Sequence, residues 1–176
     1  MKTPCISHWL LGMALILCSV HTRSLRRCLS SVDVHRIEQS FWDIRRALQT
    51  KDTFKNITIL SSLKNLDSIK PVDVCCVTRH LLTFYRDRVF KDHQETSHEV
   101  KRKISKIANL FLQMQRTLEQ CVHSQCGCSQ EATNATRIVQ DNYNQLEVSS
   151  AALKSLGELD IFLAWIGKNH RETSAA

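Results

Sequence analysis

The sequence predicts an all-α fold, five to seven helices packed into one bundle, and three observations carry that prediction. Apolar residues recur at steps of three and four over three long stretches, the signature of amphipathic helices. The 176 residues include only four glycines and two prolines, too few turn formers for a many-stranded β fold. An adjacent pair, Cys75 and Cys76, faces a second cluster at Cys121, Cys126 and Cys128 about fifty residues on. Neighbouring thiols cannot bond to each other without a strained ring, so each needs a distant partner.

Met1-Lys2 gives a positive start, Trp9 to Val20 is apolar, and Thr22 and Ser24 place small side chains where a signal peptidase reads. The run is shorter than the roughly twenty apolar residues that span a bilayer. Residues 1–24 therefore read as a signal peptide, with Leu25 opening a single domain over 25–176. A buried N-terminal helix is the alternative, opposed by Arg23, Arg26 and Arg27, which follow at once. Cleavage removes Lys2 and Arg23 but no acid, so the formal charge falls from +7 to +5. About 150 residues remain, the size of one domain.

Val34, Ile37, Phe41, Ile44 and Leu48 form the first apolar stripe, and Ser30 with Asp33 resembles a capping box before it. Lys51 to Lys70 reads as a long connection holding a short helix around Leu60 to Leu66. Pro71 suits a first helical turn, where its missing N–H needs no partner. Val74, Val77, Leu81 and Phe84 continue that helix over residues 71 to 90. The longest stripe is Val100, Ile104, Ile107, Phe111, Met114, Leu118 and Cys121, with Thr96 and Glu99 as its capping box. Ser129 can cap a further helix whose inner face is Ala132, Ala135, Val139, Tyr143 and Leu146. Ala152, Leu156, Leu159, Leu163 and Ile166 close the series, interrupted by Gly157, which costs a helix up to about 1 kcal/mol. Narrow stripes of this kind must be buried against one another as a bundle.

Removing Cys5 and Cys18 with the leader leaves Cys28, Cys75, Cys76, Cys121, Cys126 and Cys128 in an oxidising route, which favours disulfides. Six cysteines allow fifteen pairings. Forbidding Cys75–Cys76 and the cramped Cys126–Cys128 leaves ten. Two sequons, at Asn56 and Asn134, fit secretion, and Asn134 lies about 200° around its helix from Ala132, away from the proposed core.

No catalytic constellation is visible. The run Cys75 to His80 invites comparison with secreted phospholipases A2, but the histidine spacing, a following cysteine and the glycine-rich calcium loop are all missing. His80 reads instead as an exposed helix residue. No Gly-x-Ser-x-Gly elbow exists. A zinc site from Cys126, Cys128, His123 and the Cys75 pair is conceivable by ligand type, yet secretion favours disulfides. Neither a catalytic nor a metal site is expected, and no cofactor. The basic run Lys101, Arg102, Lys103 and Lys106 lies mostly on a solvated helix face without aromatic interleaving, so nucleic acid is not expected and weak glycosaminoglycan affinity stays open. Trp42 and Trp165 sit beside core positions, where packing is the default and a partly exposed partner anchor the alternative.

Lys70, Cys75-Cys76 and the stretch Leu81-Leu82-Thr83-Phe84-Tyr85-Arg86-Asp87-Arg88-Val89-Phe90 resemble the signature of the interleukin-10 family. Ala152 to Ile161 looks like that family's last helix. Lys103 to Asn109 and the cluster Cys121, Cys126, Cys128 resemble the branch containing interleukins 19, 20 and 24, and the likeness covers essentially the whole chain. It implies a six- to seven-helix bundle of the interleukin-10 type stapled by three disulfides, Cys28–Cys121, Cys75–Cys126 and Cys76–Cys128. It implies a secreted cytokine that does no chemistry and joins two class II receptor chains, the interleukin-20 receptor alpha and beta subunits, to drive JAK–STAT signalling. One receptor face would include Arg45, Lys51, Asp52, Thr53, Lys154, Glu158 and Lys168, for which solvated charge is the plain alternative. Some relatives exchange their last two helices between chains; here the short loop from Val122 to Ser129, pinned twice, implies a monomer without membrane insertion. A saposin-like lipid-binding module is the rival reading, but it needs about half this length.

Overall fold

The computed structural model describes residues 34–64, 69–121 and 126–172. The leader, Cys28, the Ser30–Asp33 box and His123 lie outside the described residues, and with Cys28 the expected Cys28–Cys121 bond. Among the described residues every regular element is helical: α1 (Val34–Lys51), α2 (Ser61–Lys64), α3 (Val74–Phe84), α4 (Phe90–Asp92), α5 (His98–Cys121), α6 (Gln130–Asn144), α7 (Val148–Gly157) and α8 (Leu159–Glu172).

Burial follows the stripes. In α1, Ile37, Phe41, Ile44 and Leu48 are inside, joined by Ser40. In α5, Ile104, Ile107, Phe111, Met114 and Leu118 are inside, and Val100 at its start is half-buried. These two helices pack on each other, and α1 also packs on α7 and α8. The α3 helix closes the bundle against α5 and α6. Apolar burial at about 25 cal/mol per Å² drives this association.

Three boundaries differ from the sequence-based expectation. Residues 71 to 90 are not one α-helix. A 3-10 turn at Pro71–Asp73 leads into α3, and a π-helical turn at Tyr85–Val89 follows, where the N–H of Phe90 bonds the carbonyl of Tyr85. The wider turn lets Phe84, Tyr85 and Val89 all be buried. Tyr85 sits inside an aromatic cluster, with ring centroids 5.3 Å from Phe111, 5.6 Å from Phe84 and 5.9 Å from Phe162. The cap of α5 is Ser97 rather than Thr96: the Ser97 Oγ accepts from the N–H of Val100 and its carbonyl from that of Lys101. The C-terminal stripe is split at Glu158 into α7 and α8, directly after Gly157. The short helix in the connection is α2, after a turn that buries Ile59 and Leu60.

The α6 helix starts where Ser129 places it, with the Ser129 Oγ accepting from the N–H of Ala132. Its buried face is Ala132, Thr136, Val139 and Tyr143, whereas Ala135 and Leu146 are half-buried. Cys75 is bonded to Cys126 and Cys76 to Cys128, with Cα separations of 5.6 and 5.5 Å. Alongside them, both carboxylate oxygens of buried Asp73 accept from Ser129, one from its N–H and one from its hydroxyl, each at 2.8 Å. The entry to α3 and the entry to α6 are thus locked together covalently and by charge-assisted hydrogen bonds.

Candidate functional site

The residues singled out for an interaction face do not behave alike. Lys154 is buried on α7, and its Nζ lies 2.8 Å from Asp52 Oδ2 and 3.6 Å from Glu158 Oε1. Glu158 Oε2 accepts the backbone N–H of Leu60 at 3.0 Å. Asp52 Oδ1 accepts the N–H of Phe54, which turns the chain directly after α1. This set is an internal strut: it ties the connection after α1 to the α7–α8 junction from two points. Neither Lys154, Asp52 nor Glu158 is a freely solvated charge.

Around the strut stands an accessible rim. Arg45 donates to Asp160 Oδ2 at 2.7 Å while its guanidinium carbon sits 4.5 Å from the ring centroid of Trp42. Trp42 is 57% exposed, whereas Trp165 is fully buried, so core packing accounts for Trp165 and not for Trp42. Lys51 bonds both carboxylate oxygens of Glu95, at 2.8 and 3.1 Å, and Thr53 and Phe54 stand exposed beside it in sequence. Between α1 and α8 runs a groove of about 350 Å³ lined by Glu38, Phe41, Trp42, Asp160 and Leu163. Lys168 is half-buried on α8, nine residues past Leu159 and thus about 13 Å further along the axis, apart from the strut.

The charged loop behind the rim is partly dry. Burial pushes the His93 imidazole below its usual range, against the opposing pull of Glu95, whose Oε2 is 3.6 Å from Nε2. Burial would raise the Glu95 carboxyl, but the hydrogen bonds from Lys51 and from the N–H of Ser97 hold it below the usual carboxylate range. Sequence reasoning missed Glu95 and Asp160 because their partners, Lys51 and Arg45, are distant in the chain. Trp42 was readable as a candidate only from its place beside the α1 stripe.

The sequons differ as well. Asn56 is exposed in the connection after α1. Asn134 is half-buried, with its Oδ1 accepting from Gln130 and Arg137, so it flanks the buried face and does not oppose it fully.

Chemistry finds little footing here. His80 is exposed on α3, and burial followed by the charge of Arg79 lowers its pKa. Among the described residues, the one group with metal-ligand atoms close together is Cys76, His80 and Cys128, within 4.8 Å of one another. Its two cysteines are bonded to each other and offer no thiolate. No helix among the described residues is long and apolar enough to cross a membrane.

A disulfide-pinned helical bundle with an exposed polar rim is the architecture of the helical cytokines. The family profile described as Interleukin 10 matches residues 18–170. The chain belongs to the interleukin-10 family, whose members are signalling ligands and not enzymes. It is 74% identical to mouse interleukin-19 over the full length of both chains, and 66% identical to human interleukin-19 over 97% of each. Its fold matches the crystal structure of human interleukin-19 with a TM-score of 0.79 at 68% identity, covering 83% of this chain and 94% of that one. An edited human interleukin-24 matches with a TM-score of 0.64 at 28% identity, over 77% and 88%.

Proposed function

We propose that this protein is a secreted cytokine that bridges two class II cytokine receptor chains, interleukin-20 receptor alpha and beta, so that their associated kinases phosphorylate STAT factors. The observation that carries this reading is the rim of Trp42, Arg45, Lys51, Thr53 and Phe54, held on the buried Lys154–Asp52–Glu158 strut. A connection fixed before binding loses less entropy on docking, which favours affinity. Large, partly exposed Trp and Arg side chains are the residue types that dominate interface energetics. In this reading Trp42, Arg45, Lys51 and Thr53 touch one receptor chain, and Asp52, Lys154 and Glu158 act by positioning them. Lys168 extends the same face along α8, and parts of α1 and the middle helices meet the second chain. Simultaneous occupancy raises the effective concentration of one receptor tail near the other, and no chemical step is needed.

The single domain over 25–176 leaves the cell after cleavage behind Ser24, and N-terminal sequencing of secreted protein should read from Leu25. Glycans at Asn56 and Asn134 should be visible as a mass loss on enzymatic deglycosylation. The double pinning of the loop before α6 supports a monomer, which light scattering at micromolar concentration checks. The decisive experiment adds purified protein to cells bearing both receptor chains, or each alone, and measures STAT phosphorylation. A response only with the pair is expected; a response with neither would defeat the bridging reading.

A further inference from the structure

The sequence shows Arg102 and Lys106 as part of a basic run, but only the fold shows what lies beside them. They are exposed on α5 one turn apart, about 6 Å along the axis, and Arg36 of α1 lines the same groove from the other wall. Parallel to this row, Ser105, Asn109 and Gln113 repeat at four-residue steps and line the groove with neutral hydrogen-bonding groups. The groove has a volume of about 400 Å³. The other two cations of the run are turned elsewhere: Lys103 pairs with Asp43, and Lys101 lines a separate hollow with His93 and Glu95. Among the described residues, neither Arg102 nor Lys106 makes an ion pair.

We propose that this groove binds a sulfated polysaccharide of the cell surface or matrix, with Arg102 and Lys106 meeting sulfate groups and the parallel polar row meeting sugar hydroxyls. Charge complementarity selects the occupant: the groove is lined by three cations and no acid, on a chain of formal charge +7, or +5 once residues 1–24 with Lys2 and Arg23 are removed. Two alternatives fit less well. The lining has no aromatic side chain on which a base could stack. Its one apolar residue, Leu110, is half-buried and gives a lipid bilayer little to hold. Such binding would hold the secreted protein near its point of release, a consequence separate from receptor bridging.

The test uses the whole secreted protein on immobilised heparin, with elution by a salt gradient and titration with heparin oligosaccharide at about 0.15 M salt. The double variant R102Q/K106Q is expected to bind heparin about tenfold more weakly, and with a shallower salt dependence, because two counterion-releasing contacts are lost. The charge-matched control K55Q/R137Q, away from the groove, is expected to elute close to the parent. Equal losses in the two doubles would reduce the effect to net charge and overturn the proposal. So would stronger binding to single-stranded DNA or to phosphatidylserine vesicles than to heparin. As a readout independent of mutant folding, heparin should protect Lys106 from acylation in the parent protein while leaving Lys55 reactive; equal protection would overturn it as well.

Discussion

Lys154 on α7 and Asp52 in the connection after α1 meet at 2.8 Å, with only 9% and 15% of their side chains exposed. This pair, 102 residues apart in the chain, decides where that connection lies. Removing Lys154 would leave Asp52 and Glu158 as partly buried carboxylates without their cation. Lys154→Met is therefore expected to destabilise the fold by about 3 kcal/mol in urea denaturation. Adding Glu158→Gln should recover part of that loss, since the amide oxygen can still accept from Leu60. An unchanged midpoint for the single variant would show that the strut contributes nothing.

The two disulfides close nearly the same loop, with sequence separations of 51 and 52. Closing a loop of about fifty residues stabilises by about 4 kcal/mol in the chain-entropy view. Once one bridge is present, the second constrains the unfolded chain little further. Replacing Cys76 and Cys128 by serine should thus cost on the order of 1–2 kcal/mol, while replacing all four cysteines should cost about 4 kcal/mol or more. Equal and additive losses in chemical denaturation would contradict this.

Tyr85 donates its hydroxyl to the carbonyl of Ser155 at 2.8 Å, and burial pushes the phenol well above its usual range. Tyr85→Phe keeps the aromatic cluster and leaves that buried carbonyl without this donor. A loss of about 1 kcal/mol in thermal unfolding is expected.

Gly157 closes α7, and a Cβ there would meet only the Cγ of Gln49, at 3.8 Å, an ordinary contact. Gly157→Ala should stabilise by about 0.5 kcal/mol through lower unfolded-state entropy. The Gln49 side chain donates from Nε2 to the backbone carbonyl of residue 157, an acceptor that the change retains. A fall in melting temperature would count against the open space at this position.

His93 gives a pH dependence of definite sign. Burial lowers its folded pKa below 6.5, so the unfolded chain binds more protons between the two values, and stability rises with pH across that window. The contribution is complete above 6.5 and is lost as pH falls through the folded value. His80 shifts in the same direction, so His93→Gln should flatten the curve only in part, and His93→Gln with His80→Gln more fully. Denaturation midpoints measured from pH 7.5 down to 5.5 check this; steeper dependence in the variants would refute it.

The sequence by itself determined the helices whose apolar stripes are long and regular. The steps at Ile37, Phe41, Ile44 and Leu48, and those from Ile104 to Leu118, are local geometry written in 3.6-residue periods, and they are buried as read. The same holds for the cap at Ser129, which needs only its own next three residues. Tertiary structure alone decided the rest. The π turn at Tyr85–Val89 follows from burying several aromatic rings at once, a demand set by Phe111 and Phe162 on other helices. The division between Trp42 and Trp165 depends on which neighbours cover each ring. The roles of Lys154, Asp52 and Glu158 changed from surface charge to internal strut because ion pairs join residues that share no sequence period. A charge's meaning lies in its desolvation and its partner, and both are properties of the packed bundle.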